Sequence, residues 1–316
     1  MTNMDARRKL VAARRPTSPN TDVPSRRALT TTALTLILPC FNEAERLPLA
    51  LAAFLTELPQ KPGEIEVLVV DDGSTDETFA VASAVAAKDA RVRVIGSRPN
   101  RGKGFGVRTG VLAAQGELVV FTDADGSYGP RDVDRIVAAL ADASVAIGSR
   151  DAGLATGPLV RRLASLLFNR VIQALLRLPF RDTQCGLKGF RRQAALQLFG
   201  LARLDGFAFD AELLFLAHRV GLPVAEVPVR AEERDGSKVQ LTVDALRMLR
   251  DVLIVRRAAA KGVYDPAHPE PGKNGSSQGQ NSGSHGRGGS SYLRTATATP
   301  GEAVGKPASI PADDPR

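Results

Sequence analysis

Cysteine is scarce in this chain and long apolar runs are missing, and each absence removes a class of protein. Of 316 residues only Cys40 and Cys185 are cysteine. Two cannot build a disulfide framework, and no Cys/His spacing of a metal site occurs, so a reducing compartment fits best. No stretch of about 18 apolar residues exists, so no transmembrane helix is expected. Met1 to Ala33 also lacks the continuous apolar core of a signal peptide. The dinucleotide fingerprint G-x-G-x-x-G does not follow the first apolar run, and there is no Walker lysine motif. Those gaps argue against a Rossmann dehydrogenase and a P-loop enzyme.

Positive charge is present but unevenly spread. The formal net charge is +8, and residues 1–33 carry +5 of it, from seven Arg or Lys against two Asp. The segment 265–316 holds five charges of each sign, which leaves +3 for the remainder. That excess is too small for a global nucleic-acid surface; a basic arm beside anionic lipid or nucleic acid stays open. The first 33 residues are rich in Arg, Thr, Ser and Pro. The stretch from 263 onward is Gly, Ser, Pro, Asn and Gln with few large apolar residues, a composition that cannot bury enough surface to fold. The expected organisation is a disordered basic arm (1–33), one folded domain (34–262) and a disordered tail (263–316).

Within that domain, short apolar runs alternate with helical periodicity. Leu34–Pro39, Ile65–Val70, Arg91–Ile95, Glu117–Phe121 and Ser144–Ile147 read as strands. Helical patterns run from near Ala44 to Leu55, from Glu77 to Ala87, up to Gln115, and from Asp132 to Leu140, with Pro99–Gly104 a loop. Such alternation predicts βαβ units and an α/β fold with a mainly parallel sheet flanked by helices. Right-handed crossovers would bring the strand ends at Pro39, Asp71 and Asp123 to one edge, where open α/β sheets bind ligands. The run Val119–Phe121 ends in Thr-Asp123-Ala-Asp125-Gly. Two hard oxygen donors one residue apart suit Mg²⁺ or Mn²⁺ on a substrate diphosphate. The competing reading of Asp123 and Asp125 is a turn or cap.

An ordered set of motifs carries a resemblance. They are Leu36-Ile-Leu-Pro-Cys-Phe-Asn-Glu43, Val69-Val-Asp-Asp-Gly-Ser-Thr-Asp76, Asn100-Arg-Gly-Lys-Gly104, Asp123-Ala-Asp125, Gly148-Ser-Arg150, Asp182-Thr-Gln-Cys-Gly-Leu-Lys188, Phe207-Ala-Phe-Asp-Ala-Glu-Leu213 and Asp235-Gly-Ser-Lys238. Over about 34–260 the chain resembles family-2 glycosyltransferases of the GT-A fold, and within them the dolichyl-phosphate β-glucosyltransferases. The resemblance implies an inverting transfer of a hexose, glucose first, from a UDP-sugar to a polyprenyl phosphate with Mg²⁺ or Mn²⁺. GDP-mannose or a UDP-N-acetylhexosamine as donor, a soluble saccharide as acceptor, and a sugar-nucleotide-binding scaffold without activity are the alternatives.

The same resemblance implies roles. Pro39, Asn42 and Glu43 match the first nucleotide loop, with Glu43 on the ribose. Asp71 matches the uracil-binding carboxylate and Asp72 adjoins it in the nucleotide site. Lys103, Arg234 and Lys238 would sit by the donor diphosphate, with the last two on a loop closing over it. Asp123 and Asp125 match the metal pair, with Asp125 the direct ligand and Ser127 standing where some relatives place a Gln. Arg150, Arg161 and Ser165 match acceptor-phosphate positions. Asp182 lies near the reacting centre with Asp210 as its competitor, and Gln184 and Lys188 shape the same pocket. Capping for Asp71, a surface role for Glu43, Lys103 and Arg161, and a turn role for Gln184 and Lys188 are the alternatives.

Two segments read as basic amphipathic helices. In Leu159–Leu178 the apolar stripe is Val160, Leu163, Leu167, Val171, Ala174 and Leu178, bordered by Arg161, Arg162, Arg170 and Arg177. In Leu241–Ala259 it is Leu246, Leu249, Leu253 and Ile254 beside four arginines. Helices of this kind lie in a bilayer interface, so a cytoplasmic protein peripherally attached to a membrane surface is expected. One-sided core packing is the alternative.

Overall fold

A computed structural model describes residues 32–58, 64–150, 159–231, 241–265 and 294–296. The side chains of 159–163, 241–244 and 294–296 lie outside that description. The elements follow one another as β1 (Leu34–Cys40), α1 (Leu47–Glu57), β2 (Ile65–Asp72), α2 (Thr78–Ala86), β3 (Val92–Ser97), α3 (Lys103–Ala113), β4 (Leu118–Phe121) and α4 (Pro130–Ala139). Next come β5 (Val145–Arg150), α5 (Leu159–Leu176), β6 (Lys188–Arg191), α6 (Arg192–Leu201), α7 (Phe209–Arg219), β7 (Val224–Val229), α8 (Leu241–Ala260) and β8 (Arg294–Ala296).

The strands form one sheet in the order β7-β5-β6-β4-β1-β2-β3-β8. The pairs β1–β2, β1–β4, β2–β3 and β5–β7 are parallel; β6 runs antiparallel to both β4 and β5, and β8 antiparallel to β3. Near-continuous apolar runs are what strands buried on both faces require. Alternate residues divide accordingly. Ile37, Leu68, Val70 and Phe121 pack on the face covered by α3, α5, α6, α7 and α8. Leu36, Leu38, Val67, Val69 and Val120 pack on the other, with α1, α2 and α4.

The chain runs outward through β1, β2 and β3 and then returns to the opposite side of β1 as β4, so a topological switch point lies between β1 and β4. Cleft chemistry belongs at the carboxyl ends of strands at such a point. Register sharpens this: Ile37 pairs with Phe121, and Pro39 with Val70. Continuing by two residues brings Asp123 level with Pro39 and the end of β2. The antiparallel β6 begins at this same edge, because Lys188 is the partner of both Phe121 and Ile147.

Three expectations change. Lys103 and Gly104 belong to the first turn of α3, not to the loop before it, because Gly102 supplies the break with φ of 112°. The folded body extends past residue 262: Tyr264 is buried and its hydroxyl donates to Glu212 Oε1 at 2.6 Å. Further along, Arg294–Ala296 forms a strand on β3, through backbone bonds that composition does not reveal.

Candidate active site

The β1–β2 side of the edge is built from two loops fastened to each other. Asn42 takes the left-handed conformation, φ 57°, which asparagine tolerates better than most residues. Its Oδ1 accepts from Thr75 N at 2.7 Å, and its own N–H donates to Ser74 Oγ at 2.9 Å. Glu43 N donates to Thr78 Oγ1 at 2.8 Å. Asp71, buried at the end of β2, accepts from Ser74 N at 3.1 Å and from its hydroxyl, both on Oδ1. Pro39 closes the floor as the last but one residue of β1.

The structure gives two of the expected contacts internal partners. The Glu43 carboxylate is held bidentately by Arg46, at 2.7 and 2.6 Å. Asp72 accepts on Oδ2 from Asn100 Nδ2 (3.0 Å), Arg101 N (3.0 Å) and Gly102 N (2.6 Å), and on Oδ1 from Ser97 Oγ (3.2 Å). Burial outweighs those donors and raises the Asp72 carboxyl above its ordinary range. Asp72 thereby pins the loop that leads into α3.

Beyond that loop a chain of alternating charges begins. Lys103 Nζ lies 2.7 Å from Asp123 Oδ1. Burial pushes the Lys103 ammonium down, but Asp123, Asp210 and Asp125 together outweigh it and raise it instead. Asp210, in the first turn of α7, pairs at 2.6 Å with Nζ of the fully buried Lys188, which also donates to the Cys185 carbonyl at 2.6 Å. Buried charges persist when paired and hydrogen-bonded in this way. Asp125 is partly exposed and accepts from Ser127 N at 2.9 Å. Among the described residues no cluster of three or more His, Cys, Asp or Glu is placed to hold a metal.

The segment Asp182–Lys188 closes over this group from the other side. A Cβ on Gly186 would lie 2.0 Å from Asp123 Oδ2, so only glycine lets the backbone approach the carboxylate so closely. Asp182 accepts from Arg150 Nε at 2.7 Å, Arg150 Nη2 at 3.0 Å, Arg150 N at 3.2 Å and Gln184 N at 2.9 Å. Burial alone would raise the Asp182 carboxyl, yet the Arg150 guanidinium holds it below its ordinary value. Arg150, the last residue of β5, keeps 39% of its side chain exposed. The Gln184 side-chain nitrogen is buried with no partner among the described residues.

Thus Lys103, Asp123, Asp125, Asp182, Arg150, Asp210 and Lys188 share one edge, beside the Pro39, Asn42, Asp71 wall. Ser165 is exposed on α5, and Arg161 lies on the same helix with its side chain outside the description. Arg234 and Lys238 fall outside the described residues. Sequence reasoning missed Tyr128, which is buried and accepts from Cys185 Sγ at 3.3 Å; burial first, then Cys185, pushes its hydroxyl up. Its place three residues after Asp125 was the available signal.

Two carboxylates stand at a switch point, with two lysines paired to aspartates and a glycine-tight loop beside them. Against known families, residues 35–199 match the model described as "Glycosyl transferase family 2". The chain belongs to that family. This glycosyltransferase is 34% identical over 256 residues to the dolichyl-phosphate beta-glucosyltransferase of Saccharomyces cerevisiae, spanning 73% of this chain and 76% of that one. It is 39% identical over 240 residues to the enzyme of the same name from Drosophila melanogaster, spanning 70% and 74%. Among solved structures, it superposes with a TM-score of 0.54 on Mycobacterium tuberculosis glucosyl-3-phosphoglycerate synthase in complex with Mn²⁺, UDP-glucose and phosphoglyceric acid. That match has 24% identity and covers 74% of this chain and 82% of that one, and it establishes the GT-A fold of the glycosyltransferase.

The two amphipathic helices carry apolar residues on two faces. Ile172 and Leu176 of α5, and Met248, Val252 and Val255 of α8, pack into the core, and α5 packs against α8. Leu178, just beyond α5, is buried as well, so that end of the expected stripe turns inward. Leu167 and Val171 of α5, and Leu246 and Ile254 of α8, stay exposed, Leu167 by 68% and Leu246 by 71%. No helix among the described residues is long and apolar enough to cross a membrane.

Proposed function

We propose that the enzyme transfers glucose, with inversion, from UDP-glucose to a dolichyl or related polyprenyl phosphate at a membrane surface. The observation that carries this is the close approach of Gly186 to Asp123, where a Cβ would lie 2.0 Å from Oδ2. The segment that holds Asp182, paired with Arg150, also abuts Asp123, which supports a diphosphate on Asp123 and an attacking phosphate on Arg150 at one edge. The named relatives supply the sugar and the lipid class.

Asp123 and Asp125 fit a divalent cation: both are partly exposed oxygen donors, and Mg²⁺ or Mn²⁺ commonly takes only one or two carboxylates while phosphates and water complete its shell. When bound, it would neutralise charge on the departing diphosphate. Asp71 supports uracil recognition, since among the described residues only its Oδ1 is engaged. Arg150 has Nε and Nη2 on Asp182, which orients its remaining nitrogen, Nη1, for a phosphate oxygen. A polyprenyl phosphate is already anionic at neutral pH, so attack at C1 needs no strong base. Asp182, held ionised, therefore acts by positioning Arg150. The exposed leucines and isoleucine of α5 and α8 would seat the body in the lipid headgroup region.

The deciding experiment incubates the protein and Mn²⁺ with polyprenyl phosphate and radiolabelled UDP-glucose, GDP-mannose or UDP-N-acetylhexosamine, then extracts lipid. Label should enter lipid from UDP-glucose. Label from GDP-mannose alone, or in the aqueous fraction alone, would sink the reading.

A further inference from the structure

The Lys103–Asp123 pair sits where the donor reading needs a cation on Asp123, and that coincidence has a physical meaning. Lys103 is the first residue of α3, and its backbone is clamped on both sides. A Cβ on Gly102 would meet Asp205 O at 2.6 Å, and one on Gly104 would meet Leu204 O and Phe209 Cβ at 2.8 Å. Phe105 N donates to Asp205 O at 3.2 Å, and Arg108 grips Ala202 O and Leu204 O, both at 3.1 Å. The root of Lys103 cannot shift, so any rearrangement belongs to its side chain. The ammonium rests on Asp123 Oδ1, 5.9 Å from the centre of the Phe209 ring. Asp123 Oδ2 faces the Gly186 backbone. The second carboxylate within reach, Asp210, is committed to Lys188 at 2.6 Å, so it does not draw Lys103 away.

We infer that Lys103 is an exchangeable internal counter-ion: it neutralises Asp123 until a cation–diphosphate pair arrives, then hands Asp123 to the cation and moves its ammonium to a phosphate oxygen. The inference rests on the metal–diphosphate reading of Asp123 and Asp125 and goes beyond it. A +2 ion takes the place of a +1 ammonium on Asp123, and the incoming diphosphate supplies the negative charge that meets both the excess metal charge and the released ammonium. No proton is transferred. Metal alone must displace Lys103 without offering it a new partner, whereas metal with diphosphate offers one. Lys103 therefore makes the two ligands bind together, and it suppresses a metal-loaded site without donor.

The test uses the full chain and Mn²⁺, with free Mn²⁺ read by electron paramagnetic resonance, with and without UDP. Lys103→Gln and Lys103→Met should bind Mn²⁺ alone at least about tenfold more tightly than the unaltered protein, because a cation close to the carboxylate is gone. UDP should then enhance Mn²⁺ binding less in these variants. Lys103→Arg, which keeps the charge, should stay near the starting protein, and thermal melting checks that each variant is folded. Should neither neutral variant fold, the unaltered protein decides by ¹⁵N-lysine NMR with Mg²⁺ in place of Mn²⁺: the Lys103 ammonium signal should move when Mg²⁺ and UDP are added together, and an unmoved signal overturns the exchange. Equal Mn²⁺ affinity in folded Lys103→Gln and the unaltered protein overturns it too. Asp125→Asn separates the two claims. If it abolishes Mn²⁺ binding while Lys103→Gln changes nothing, the metal site stands and the exchange falls; if it has no effect, both fall.

Discussion

Asp182 and Arg150 show how a single pair sets both a protonation state and an orientation. Because the folded carboxyl lies below its ordinary value, its contribution to stability is present above the ordinary Asp range and is lost only as pH falls through the lowered value. In Arg150→Met the largest remaining influence is burial, which acts in the opposite direction. Asp182 should then titrate above the ordinary range, and the variant should lose stability relative to the unaltered protein as pH rises toward neutrality. The deficit at pH 7 should be about 1–3 kcal/mol, below the loss for a fully buried pair because Arg150 is part exposed. Urea midpoints across pH 4–8 measure it, and a pH-independent deficit would contradict the assignment. Gly186→Ala is the second case at this scale. Its methyl group would strike Asp123, so transfer should fall at least about tenfold, at a cost of roughly 1–3 kcal/mol in stability. Steady-state kinetics and thermal melting would register these effects.

The elements differ in how plainly the sequence announces them. Ile65–Val70 is apolar at every position but one, and both faces of β2 are buried, so its strand was legible. β6 and β7 were not: the first is four residues long and starts at a buried lysine, and the second contains Pro228. Lys188 is intelligible only once Asp210 arrives from another helix. Among the candidate site residues, the strand ends at Pro39, Asp71 and Asp123 were expected at one edge from the order of the strands, whereas Arg150 and Asp182 were singled out by the resemblance alone. The pairing of Lys103 with Asp123 and the sequestration of Asp72 needed tertiary placement. For α8 the expected stripe, Leu246 to Ile254, proves to flank a separate buried stripe of Met248, Val252 and Val255, which the periodicity of three and four also accommodates. If the outer stripe seats in lipid, Leu167→Glu combined with Leu246→Glu should abolish flotation with anionic liposomes. Transfer to a short, water-soluble prenyl phosphate should persist. Retained flotation would place the membrane contact elsewhere.

At the scale of the whole molecule, the folded body is closed by its last described helix. Glu212 is fully buried and accepts from Arg203 N at 2.9 Å, Leu204 N at 2.9 Å and Tyr264 Oη at 2.6 Å. One carboxylate thus ties the end of α8 to the turn that clamps α3. Tyr264→Phe removes one donor from a buried anion and should lower stability by about 1–3 kcal/mol, read as a drop in urea midpoint without change in slope. By contrast, deletion of residues 1–31 should leave transfer activity unchanged, since the strands, the charge chain and the Asp182–Lys188 segment all lie after them; an assay of the shortened chain against the full one tests this.

The seating of α3 also has a consequence for divergence. Gly102 and Gly104 rest on the carbonyls of Leu204 and Asp205, so the origin of Lys103 is fixed chiefly by main-chain atoms. Side chains at 203 and 204 can therefore drift among functioning descendants without relocating that ammonium. Asp205 cannot, because Arg101 and Arg108 both hold it. A randomised library across 203–205 should return active clones varied at 203 and 204 and monotonous at 205, a pattern imposed by geometry rather than by contact with any substrate.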